Sequence, residues 1–255
     1  MSTSISLVAC VAVALFLLAA PVVQQDAPAA PAVPTLASLT LPLDRLKDSH
    51  QEFDFRMSAS GSSAPPESLG SVVLDTRIEA GKFTFTDRGD MQYGGKPWWI
   101  EMTTLGTVGN ELRPEYLNVR GTTPNLDGQT TDFSAQFTAA AATVSYADKS
   151  YDLAVPAGSL TVDVLYRLVT LLPRRAGFVA SYGQYLDANA MKVNPGGTIT
   201  CASATENVDV GGKAVKAFRF DVTSDGRVFF SLWVDEAGRF VQSCLEGNRW
   251  LVAKG

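Results

Sequence analysis

Few residues in this chain could do chemistry. His50 is the only histidine. A lone imidazole just ahead of an alternating run could act as a general base, or could simply sit at a strand edge. No second histidine and no C-x-x-C pair stands at metal-ligand spacing, so the sequence carries no metal motif. The densest acidic pairs are Asp87/Asp90 and Asp235/Glu236. Two-carboxylate hydrolysis needs acids that converge across a cleft, and both pairs fall in turn-like sequence, where acids are ordinary. Gly94-Gly95-Lys96 and Gly211-Gly212-Lys213 look like phosphate loops. Each reads as a hairpin turn and not as a strand-to-helix loop. Neither a G-x-S-x-G elbow nor a G-x-x-x-x-G-K-[ST] loop occurs.

The residues that point to binding are aromatic. Trp98 and Trp99 are adjacent, so in a strand they face opposite ways. One would face the core and the other a ligand surface or an interface. Phe229, Ser231 and Trp233 alternate with Val228, Phe230, Leu232 and Val234. That strand is apolar on nearly both faces, so its second face needs the helix, another sheet or a ligand. Trp98, Trp99, Phe229 and Trp233 are therefore the candidate ligand-binding residues, for an apolar molecule or lipid. Core packing is the other reading of each.

Composition narrows the class. The chain has 255 residues, 46% hydrophobic and 18% charged, with a formal net charge of −5. That acidic balance argues against a general nucleic-acid binder, which needs a basic footprint. No cofactor motif appears.

Residues 5–23 form an apolar run broken only by Ser6 and Pro21. The run falls between a usual signal h-region and a membrane span in length. Residues 1–25 are expected to be a secretory signal or an uncleaved membrane anchor. Residues 26–38 are an Ala/Pro-rich linker, and residues 39–255 are one β-rich domain. Cys10 lies inside the apolar run and not at its end, so there is no lipobox. Export predicts a periplasmic or extracellular protein. In an oxidising compartment Cys201 and Cys244 could pair. Such a bridge would contribute about 3–4 kcal/mol in the chain-entropy model. Two buried thiols are the alternative.

Phe53, Phe55 and Met57 alternate with Asp54 and Arg56, the pattern of a half-buried strand. Similar strands are expected at 71–78, 83–86, 98–104, 116–120, 131–137, 143–146, 198–205, 213–222, 227–234, 239–245 and 250–253. Glu79-Ala80-Gly81-Lys82 and Ser224-Asp225-Gly226 are turn signals between them. Leu41, Leu43 and Leu46 suggest a short amphipathic helix over 40–47. Leu160, Val164, Leu165, Leu168, Val169 and Leu172 fall at helical spacing, and Pro173 stops the run. The spacing predicts a helix over 160–172 with its apolar face on the sheet.

A resemblance can be added on these residues. Tyr151-Asp152-Leu153-Ala154-Val155-Pro156 leads into Val162-Asp163-Val164-Leu165-Tyr166-Arg167-Leu168, followed by Pro173 and Gly177. Together with Gly211-Gly212-Lys213, Phe218/Phe220 and Phe230-Ser231-Leu232-Trp233-Val234-Asp235, this resembles a family of bacterial periplasmic domains of unknown function. Such domains are similar in build to the half-barrel sheets of lipoprotein carriers. The Arg that follows the helix in that family is shifted here to Arg174-Arg175. The resemblance implies a curved sheet with a packed helix, and it brings no catalytic residues.

The expected fold is mainly β: a curved antiparallel sheet, a half-barrel-like meander, with one packed amphipathic helix. The expected role is a non-enzymatic envelope protein that holds an apolar ligand or lipid, or docks an envelope protein partner. A filled concavity with no ligand pocket, or a carboxylate hydrolase, are the alternatives. The membrane would be met only through an uncleaved N-terminal segment.

Overall fold

The computed structural model describes residues 32–58, 65–93, 95–109, 111–122, 130–138, 141–146, 149–155, 159–187, 192–202, 204–245 and 247–254. The folded unit begins at Val33, earlier than the expected start at 39. The apolar run and the residues to 31 lie outside the described residues.

The first half is a meander of eight strands: β1 (Ser49–Met57), β2 (Glu67–Glu79), β3 (Lys82–Tyr93), β4 (Lys96–Val108), β5 (Leu112–Thr122), β6 (Thr130–Phe137), β7 (Ala141–Tyr146) and β8 (Lys149–Ala154). The two-residue β9 (Leu160–Thr161) leads into helix α1 (Val162–Leu171). Short strands β10 (Val179–Tyr182), β11 (Tyr185–Asp187), β12 (Lys192–Asn194), β13 (Gly197–Cys201) and β14 (Glu206–Val210) follow. The chain closes with β15 (Lys213–Ser224), β16 (Arg227–Asp235), β17 (Phe240–Leu245) and β18 (Arg249–Ala253).

Among the described residues, fifteen of these strands form one antiparallel sheet in the order β10-β13-β15-β16-β17-β18-β1-β2-β3-β4-β5-β6-β7-β8, with β14 beside β15. The two halves of the chain are joined by the pairing of β1 with β18. The path ends at β8 and β10, which do not pair, so the curved sheet stays open along one seam. A second sheet, β12-β11-β9, lies apart from this path. The hairpins follow the turn chemistry. Ala80 and Gly81, and Asp225 and Gly226, all have positive φ, as a two-residue turn matched to strand twist requires.

Strand register defines the inner face. Across β1 to β7, one inward row reads Gln51, Leu74, Asp87, Met102, Val119, Phe133, Tyr146. The next reads Thr76, Phe85, Thr104, Leu117, Ala135, Val144. At Gly106 a Cβ would lie 2.1 Å from the Arg113 carbonyl oxygen and 2.5 Å from the Phe83 ring. Only glycine lets the β4 backbone approach that closely.

Helix α1 fills one part of the concavity. Val164, Leu165, Leu168 and Val169 are buried with Phe53, Phe83, Phe85, Phe230 and Leu232 in the main core. Leu186 of β11 packs on Leu117, Val119 and Phe133 in a second cluster. The helix starts two residues later than its spacing predicts. Leu160 and Thr161 instead pair in parallel with Tyr185 and Leu186. The helix expected over 40–47 is replaced by 3-10 turns at Leu36–Ser38 and Leu43–Arg45. Leu36, Leu39, Leu41, Leu43 and Leu46 still reach the main core, so burial follows the leucines without an α-helix to carry them.

Of the two readings left open for Cys201 and Cys244, the bridge is not formed and two buried thiols are found. Cys201 opposes Phe220, Phe220 opposes Leu232, and Leu232 opposes Ser243. The two cysteines are thus three strand spacings apart, roughly 14 Å, whereas a bridge needs Cα atoms within about 7 Å. Cys201 also packs in the main core, and Cys244 in a separate cluster with Trp233. Burial pushes both thiols up, which suits inert core residues.

Candidate functional site

The seam leaves a cleft of about 470 Å³. Leu112 and Pro114 from β5, Phe137 from β6 and Val155 after β8 line one side. Ser181 and Tyr182 from β10 line the other, and Leu168 of α1 lies among them. The N-terminal segment contributes Thr35, Leu36 and Ala37. That segment is held by the backbone. Thr35 bridges Ser181 in parallel, and the Ser181 N–H donates to the Pro34 carbonyl at 2.8 Å.

The lining also carries Glu111, Arg113, Thr138 and Ser181, and two further polar groups, Tyr182 and Ser159, differ in status. Tyr182 is buried, and its hydroxyl donates to the Thr223 carbonyl at 2.7 Å. Burial pushes its phenol well above the usual range, and Tyr185 adds to the shift. Ser159 is 8% exposed, yet its hydroxyl has no hydrogen-bond partner among the described residues. A buried hydroxyl without a partner costs about 1–3 kcal/mol, so Ser159 Oγ keeps unused hydrogen-bonding capacity in the cleft wall. His50 lines other cavities and not this one. The lone histidine is therefore not in place to activate Ser159.

The helix carries a second polar feature. Arg167 donates from Nη1 to Asp87 at 3.0 Å and from Nη2 to its other carboxylate oxygen at 2.5 Å. Its guanidinium also lies 4.9 Å from the centre of the Phe85 ring. Burial pushes the Asp87 carboxyl up, and the Arg167 charge offsets part of that rise. One turn earlier, Asp163 is 1% exposed, and neither carboxylate oxygen has a hydrogen-bond partner among the described residues. Thr161 Oγ1 and Thr104 Oγ1 are likewise buried without partners among the described residues.

The four aromatic candidates do not converge. Trp98 is half-buried on the inner face, edge-on to Phe55 at 6.0 Å. Trp99 is 38% exposed on the opposite face. Phe229 stacks on Tyr185 at 5.5 Å, beside a register shift between β15 and β16. Trp233 sits in the cluster with Val208, Val241 and Cys244, and its indole N–H donates to Glu206 at 2.8 Å. His50 lies on the surface, with Nδ1 2.6 Å from Asp75 and Nε2 3.5 Å from Glu52. Sequence reasoning missed Ser159, Leu112, Phe137 and Leu36 as cleft residues. The spaced N-terminal leucines were the one usable signal, since an Ala/Pro tether has no cause to carry them.

No family model matches this chain, and no curated protein matches it. Solved structures similar to it include two of domains of unknown function. One is the crystal structure of a β-barrel-like protein of the domain of unknown function DUF1849 from Brucella abortus. It is 12% identical over 82% of this chain and 96% of that chain, with a TM-score of 0.49. The other is a DUF1089 family protein from Pseudomonas aeruginosa. It is 14% identical over 73% of this chain and 95% of that chain, with a TM-score of 0.39.

Proposed function

We propose that this chain is an exported, non-enzymatic binding protein that holds an apolar, acyl-type ligand in the seam cleft. The observation that carries the reading is the cleft itself, a space of about 470 Å³ with a largely apolar lining, Glu111 and Arg113 at its charged side, and a buried Ser159 hydroxyl that has no hydrogen-bond partner among the described residues. Small-molecule sites are typically about 300–1,000 Å³, mostly apolar, with a few placed polar groups. Eight buried methylenes would contribute roughly 6 kcal/mol at about 0.8 each. Association costs offset part of that gain, which favours reversible binding. The apolar run at residues 5–23 supports export to the periplasm or beyond.

The test is native mass spectrometry of the full chain expressed in bacteria and recovered without detergent from the periplasmic extract. The expected result is a bound mass that is lost on denaturation and extracts into organic solvent. Phe137→Glu, at the cleft, should abolish that mass and leave the circular dichroism spectrum unchanged. A bare protein mass after incubation with palmitate and phospholipid would overturn the carrier reading. Recovery only from the cytoplasm would overturn export.

A further inference from the structure

On the other side of α1 lies a separate basin of about 500 Å³. Helix α1 gives Leu168 to the seam cleft and Tyr166, Arg167 and Thr170 to this basin. The remaining walls come from the N-terminal turns, the start of β1 and the turn between β16 and β17. Its charge runs against the rest of the molecule. The chain as a whole carries −5, yet Arg45, Lys47, Arg167, Arg239 and Lys254 line the basin against only Asp48 and Glu52.

Three of the five cations are already answered. Arg167 is held by Asp87, Arg239 by Asp235 at 2.8 Å, and Lys254 by Glu52 at 3.8 Å. The Asp48 carboxylate accepts the Ile78 N–H at 2.7 Å. Arg45 and Lys47 have no ion-pair partner among the described residues. The floor between them and the helix is apolar, with Leu46, Leu74, Tyr166 and Phe240. The Tyr166 ring is fixed by stacking on Phe230 at 4.5 Å.

We infer that this basin is a binding site for a small organic anion, a carboxylate or phosphate group on a compact apolar or aromatic body. Arg45 and Lys47 meet the anionic end, and Leu46, Leu74, Tyr166 and Phe240 cover the apolar end. Arginine suits either anion because its planar fork matches two oxygens at once. The inference is independent of the seam cleft, since the two cavities share no lining residue.

The probes are benzoate and phenyl phosphate, titrated into the full chain by calorimetry at low ionic strength. Benzyl alcohol is the uncharged control. Saturable binding by an anion, at least tenfold tighter than benzyl alcohol and weakened by added salt, is the expected result. Arg45→Glu combined with Lys47→Glu should weaken the anion at least tenfold. Both side chains are exposed, so the thermal midpoint should hold and separate lost binding from lost folding. Phe137→Glu should leave anion binding unchanged, so failure here and failure of the acyl carrier are distinguishable. No saturation by either anion at 10 mM, equal binding of benzyl alcohol, or an unaffected double variant would each overturn the inference.

Discussion

At the scale of single residues, His50 is the most readable probe because it is the only histidine. It bridges β1 and β2 through Asp75, and the bond to Asp75, helped by Glu52, holds its pKa above the ordinary imidazole value of 6.5. A raised folded pKa means that the contact stabilises below about pH 6.5 and is lost as pH rises through the folded value. In an NMR titration its single Cε1–H signal should show a midpoint above 6.5. Asp75→Asn should move that midpoint down, and an unmoved one would show that Asp75 is not its partner. Sequence placed His50 at a strand edge without seeing Asp75, because cross-strand partners depend on register. Phe229 shows the same limit. Alternation along β16 was legible, but the register shift beside Phe229 was not, since no Gly or Pro marks it.

The helix is where spacing said most and left out most. Leucine and valine periodicity gave α1 its place and Pro173 its end, and both hold. Periodicity could not show why a helix buried on most sides carries Arg167, nor why the inward position 87 on β3 is an aspartate. Each answers the other across 80 residues. Neither alone is a core residue, and together they fix α1 against the inner face of the sheet. Arg167→Met should therefore destabilise by about 3 kcal/mol, because it leaves a mostly buried carboxylate unpaired. Asp87 is 18% exposed, so it can take up a proton, which keeps the cost near the low end of that range. Adding Asp87→Leu should recover most of the loss, since an apolar pair of similar volume is often neutral. Chemical denaturation of both variants would check this, and equal instability of the single and double variants would refute it.

For the whole molecule, the open sheet poses the question of its edges, since an uncovered edge strand invites unwanted pairing. The two edges are handled differently. β8 is short, six residues, and almost wholly exposed, with Lys149 and Asp152 as its charges. β10 is covered by the chain's own N-terminal segment, through Thr35 and Pro34. The meander of hairpins was legible from turn residues, but this closure was not, because the Ser181 N–H and hydroxyl both reach the Pro34 carbonyl, 147 positions away. It also makes the segment expected as a tether part of the fold and of the cleft wall. Backbone protection should therefore rank strands by pairing and not by chain position. β2, β3 and β4, of 13, 12 and 13 residues and paired on both sides, should exchange amide hydrogens slowest, and β8 fastest. The Ser181 amide should be protected although β10 ends the sheet, because Pro34 accepts its hydrogen. Replacing residues 33–38 with Gly and Ser should remove that protection and leave the β3 amides unchanged. If Ser181 exchanged as fast as β8 in the unaltered chain, the segment would not be closing the edge, and the cleft would lack that wall.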